Sequence, residues 1–184
     1  MTMNIDEVAV EIHKNNIEAG WWPEGRSIPE VYQLISTEIS EATEGERKDL
    51  MDDHLTERKM GEVELADALI RLLDLAGFKG WEFSKTDVSP LFNEEAPIAE
   101  KHWLLSQWLV ALYSSEMLED PEGDTPEGVL VPSNAYSILL CLICATAESC
   151  GYHVWEALEE KLEYNKNRPD HKKEVREGKN GKAF

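Results

Sequence analysis

The chain has 184 residues, room for one domain with a core of ordinary size and not for two large ones. Its 18 Lys and Arg stand against 37 Asp and Glu, a formal net charge of −19, which excludes a generic nucleic-acid binder because such proteins draw much of their affinity from neutralised phosphates. A hydrophobic share of 42% with six Trp excludes global disorder.

Helical periodicity runs through the sequence, and no segment sustains the two-residue alternation of a strand. The expectation is an all-α bundle of about six helices in one domain over 1–184. The first helix runs from Asn4 to Ala19 and is stopped by Gly20, with Trp21 to Gly25 as a turn. The second starts near Ser27 with Pro29 in its first turn, where a fixed φ and a missing N–H do no harm, and ends near Gly45 to Lys48. Charge dominates Asp49 to Lys59, which reads as loop or frayed helix. A third helix, Gly61 to Phe78, has the densest apolar content of the first half. The fourth spans about Ala96 to Glu119, before a Pro- and Gly-rich exposed loop from Pro121 to Gly128. Ser133 is the expected N-cap of a fifth helix reaching Cys150. Its apolar run, Ala135 to Ala147, is shorter than the ~20 residues of a bilayer crossing and reads as buried. The sixth helix, Val154 to Asn167, is ended by Pro169, and the tail beyond carries a basic excess that suits a solvated terminus or a flap over an anionic ligand.

Three Cys and a start without an apolar h-region imply a reducing, cytoplasmic setting with no disulfide framework and no membrane. Cys141 and Cys144 form a CxxC inside an apolar helix, but a zinc site would need a second pair, so core packing is expected.

Displacing the chain by 70 residues aligns Ile28 to Ala42 with Ile98 to Leu112, and Glu64 to Ala76 with Asn134 to Thr146. One offset for both helix pairs suggests a degenerate internal duplication, with a first hairpin over 28–80, a second over 96–151, and the last helix and tail over 153–184.

Glu38 and Glu41 form an ExxE pair, and Glu64 and Asp67 an ExxD pair. An i, i+3 spacing leaves side chains about 60° apart on one helix face, so each helix offers a two-carboxylate claw. Glu38 projects inside the apolar arc of its helix and Glu41 lies at its edge. On the third helix Glu64, Asp67, Arg71 and Asp74 share one narrow polar stripe. Antiparallel packing would bring four carboxylates together with Arg71 as counter-charge, an oxygen-only set suited to Mg²⁺ or Mn²⁺. No His follows these acids by three residues, so a di-iron carboxylate site is disfavoured.

ExxE followed after 22 residues by ExxD resembles the metal signature of the all-α nucleoside triphosphate pyrophosphohydrolases, the MazG-like superfamily that includes the dimeric dUTPases and dCTP pyrophosphatases. The segment from Ile12 to Trp22 resembles a first-helix pattern in which a His and a Trp line the base pocket, here His13 and Trp22. Lys161 to Pro169 resembles the late-helix KxxxNxxRP pattern, which implies Lys161, Asn165 and Arg168 near phosphates and metals. Trp21 and Trp81 are possible aromatic helpers, for which core packing is the simpler role. The resemblance covers about 1–83 and 153–184. It departs from the simplest members in the insertion of about 70 residues, whose second hairpin carries Trp108, Ala111, Asn134 and Ser137 in place of the four acids.

The resemblance implies Mg²⁺-dependent hydrolysis of a nucleoside triphosphate to its monophosphate and pyrophosphate. Glu38, Glu41, Glu64 and Asp67 would bind metal, one of Glu38 or Glu41 would be general base, and Lys161 and Arg168 would stabilise the transferring oxygens. A homodimer and no stable nucleic-acid complex are expected. The alternative is an acidic helical interaction protein, an inactive relative or nucleic-acid mimic.

Overall fold

The chain, as a computed structural model, is described over residues 4–118 and 128–168. Asn4 accepts the backbone N–H of Asp6 at 3.2 Å and so caps α1 (Ile5–Glu18). Gly20, at φ 80°, turns the chain out of it. α2 (Ile28–Lys48) begins with Pro29 in its first turn and ends at Asp49, a left-handed residue at φ 53°.

The stretch from Asp49 to Lys59 is a built loop and not frayed helix. An isolated antiparallel bridge joins Met51 to Lys59, and the Asp52 carboxylate accepts the N–H groups of His54 and Leu55 at 2.9 and 2.6 Å. Lys59 closes it with an ion pair to Asp49 at 2.6 Å. Close approach follows: a Cβ on Gly45 would lie 2.9 Å from the backbone N of Gly61.

α3 (Met60–Lys79) is apolar around most of its circumference, and it therefore becomes the buried hub, packed on α2, α1, α6 and α5. α4 (Ile98–Leu118) packs on α5 (Pro132–Ser149) and on α2. α5 begins one residue earlier than Ser133 would cap it: Val131 is the N-cap, Pro132 takes the first turn, and the Ser133 carbonyl accepts the Ser137 hydroxyl at 2.9 Å within the helix. α6 (Val154–Asn167) returns to lie on α3. The fold is all-helical with six helices; among the described residues there is no strand.

Ile35, Ile39, Leu65, Leu69, Leu72, Leu105, Leu139 and Ile143 belong to one continuous core. Among the described residues no single helix is long and apolar enough to cross a membrane. Residue 119, most of the Pro- and Gly-rich loop and the basic tail lie outside the described residues.

Candidate functional site

The apolar arc of α2 faces α3 and carries Glu38 with it, so Glu38 is 5% exposed although charged, whereas Glu41 is exposed at the arc's edge. Glu64 on α3 is 8% exposed. Glu38, Glu41 and Glu64 each offer an oxygen such that all three lie within 4.8 Å of one another. Burial, together with the negative charges of Asp67 and Glu38, pushes the Glu64 carboxyl up to about 9. This site thus holds more negative charge than it can keep ionised, and a hard cation could sit among its oxygens.

Asp67 stands apart from that trio. Lys161 of α6 reaches across and bonds its Oδ2 at 2.7 Å. Burial opposes the Lys161 ammonium, but Asp67, with Asp52 and Glu64 nearby, more than offsets it and the lysine pKa rises. Arg71 pairs its Nε with Glu38 Oε1 at 2.5 Å. Two internal cations therefore serve the four acids, where the sequence pointed to Arg71 alone.

A cleft of about 260 Å³ opens beside this cluster, and Arg26, Asp67, Arg71, Lys161, Asn165 and Arg168 are among its lining residues. Asn16, Trp21 and Asp74 line it as well. Asn165 Oδ1 is buried without a hydrogen-bond partner, an acceptor awaiting a donor. A second, largely apolar groove of about 320 Å³ between α1 and α6 shares Asn16, Ile70, Asn165 and Arg168 with the cleft. A charged compartment and an apolar one thus meet at Asn165.

His13 and Trp22 come together at Asp74. The His13 Nδ1 lies 2.8 Å from Asp74 Oδ1, the Trp22 indole N–H donates to both oxygens at 2.9 and 3.0 Å, and Asn16 donates to Oδ2 at 2.8 Å. The Trp22 ring stacks on Phe78 with centroids 4.4 Å apart, and the Arg26 guanidinium lies 4.8 Å from its centroid. Trp22 is thus engaged by the protein itself, and Trp21 is the Trp that lines the cleft. Trp81 packs near Tyr136 against the core.

Sequence reasoning missed Asn16, Trp21 and Arg26 as cleft residues, and it named Asp74 without assigning it a role. The signals were local: Asn16 is one helical turn from His13, and Asp74 two turns from Asp67. Cys141, Cys144 and Cys150 are free thiols, and burial pushes the Cys144 thiol up to about 12, as suits packing. At the positions equivalent to the four acids the second hairpin has no carboxylate, and Ser137 is buried there, its Oγ accepting the Ser84 N–H at 3.0 Å. No family model matches the chain, and no curated protein or solved structure is found to resemble it.

Proposed function

We propose that the protein is a Mg²⁺-dependent nucleoside triphosphate pyrophosphohydrolase, with Mn²⁺ as a possible substitute. The observation that supports this most is a trio of inward carboxylates beside a cleft lined by arginine and lysine. The oxygen-only donor set fits a hard divalent cation held by Glu38, Glu41 and Glu64, with Asp67 available once Lys161 yields it. Such a cation would supply charge neutralisation of the polyphosphate and activation of water.

The chain's own groups do the rest. Lys161, Arg168 and Arg71 bind phosphate oxygens and stabilise charge as it gathers on them. A proton from the attacking water passes to Glu38 or Glu41, the oxygen bonds to the α-phosphorus, and the α–β anhydride bond breaks to release pyrophosphate. The adjoining apolar groove offers room for the base, and Asn165 Oδ1 can accept an N–H or O–H of the nucleoside. His13 and Trp22, locked on Asp74, back Arg26 and shape the wall.

Pyrophosphate release from a panel of nucleoside triphosphates, with and without Mg²⁺, tests this. Glu41→Gln, an exposed change, should cut turnover by about 100-fold or more while leaving the helical content intact. Silence of the native protein across the whole panel would favour an acidic interaction protein instead.

We also propose a homodimer formed through α4. Trp103, Val110 and Met117 recur every seven residues on its outer face and are 65%, 64% and 66% exposed. Residues 102–115 contain no Asp, Glu, Lys or Arg. Two copies of so acidic a chain repel each other, and this uncharged stripe is where they can meet at least electrostatic cost.

A further inference from the structure

Two of the four acids are bonded to cations that also line the cleft: Glu38 to Arg71 at 2.5 Å, and Asp67 to Lys161 at 2.7 Å. The pairs differ in freedom. The Lys161 side chain is 6% exposed and has Asp52 and Glu64 near it besides Asp67, so its charge is held from three sides. Arg71 is 36% exposed, and Glu38 is the one carboxylate to which an ion pair ties it among the described residues. A divalent cation on Glu38 would take over the role of the guanidinium and repel it. The nearest anion-accepting space is the cleft, where the planar fork of an arginine matches phosphate oxygens.

Resting on the pyrophosphohydrolase reading above, we infer that Arg71 is an exchangeable counter-ion: it neutralises Glu38 until a divalent cation arrives, then turns into the cleft to bind the polyphosphate. Cation loading would thereby complete the anion subsite, and the triphosphate would be bound after the metal or together with it. Linkage requires the reverse as well. While Arg71 occupies Glu38 it competes with the cation, and a polyphosphate that draws Arg71 away tightens cation binding.

Calorimetric titration of the full chain with Mn²⁺, in the absence of nucleotide, tests the exchange. Arg71→Met should bind Mn²⁺ about 5-fold more tightly than the native protein or better, because the competitor is gone. With Mn²⁺ present, the same variant should bind an α,β-imido triphosphate analogue about tenfold more weakly. Arg71→Gln serves equally should the methionine variant fold poorly, and Arg71→Lys, which keeps the charge, should stay close to native in Mn²⁺ affinity. Mn²⁺ affinity unchanged or weakened in both neutral variants, with a native protein that binds Mn²⁺ and releases pyrophosphate, would overturn the exchange and leave the enzyme reading standing. A native protein that does neither would overturn both.

Discussion

Glu64 is the residue whose ionisation the fold opposes most openly. Its carboxyl titrates near 9 in the folded chain against an ordinary value of 4.5. It faces Glu38 and Asp67 on the negative side, with Lys161 and Arg71 as the nearby cations. Between those two values the folded chain binds more protons than the unfolded one, so Glu64 lowers the stability of the cation-free protein as pH rises through that window. Glu64→Gln should therefore raise stability at pH 8 by about 1 to 3 kcal/mol, a gain that fades below the unfolded value; thermal melts in chelator at both pH values read it. A Glu64→Gln melting curve with the native pH dependence would remove Glu64 as the cause. The inward turn of Glu38 was legible from its place in an apolar arc, because helical geometry alone fixes it. The Lys161 to Asp67 bond was not, because α6 and α3 are distant in sequence and only tertiary packing brings them together. His102 shows the same limit: buried, with its pKa pushed down to about 4, it hydrogen-bonds Thr43 across the α2–α4 contact.

At the level of the element, Gly77 decides how closely α1 can approach α3. A Cβ there would lie 2.5 Å from the Ala9 carbonyl oxygen and 2.7 Å from His13 Cβ. Gly77→Ala should cost about 1 to 3 kcal/mol in chemical denaturation and lift α1 enough to loosen the bonds of His13 and Asn16 to Asp74. Stability unchanged would mean that α1 is not seated there. The helices themselves were written in periodicity, and Gly20 and Pro29 punctuated them as local chemistry demands. Two errors have local causes. Ser133 looked like a cap, yet Pro132 claims the first turn and moves the cap to Val131. The charges of Asp49 to Lys59 hid the turn that the Asp52 side chain builds with its own backbone.

For the whole molecule, α4 carries the prediction. Val110→Glu places a charge in the centre of the exposed stripe and should convert a dimer to a monomer in sedimentation, with native helical content and melting little changed. A native protein that sediments as a monomer would remove α4 as an assembly surface. Tyr32 of α2 donates to Glu116 of α4 at 2.8 Å, and Lys79 of α3 pairs with the same carboxylate, so the stripe is anchored to both carboxylate-bearing helices. The bundle architecture was legible because six amphipathic or apolar helices joined by short turns admit few alternatives. The unpaired outer face of α4 was not, because a helix apolar all round looks equally suited to a monomer's interior. The second hairpin's lack of the four acids has a consequence for stoichiometry. Each chain can assemble a single reaction centre of this kind, so a two-copy particle would turn over one nucleotide per polypeptide, and inherited variation along α4 and α5 would be free to reshape assembly while leaving the chemistry untouched.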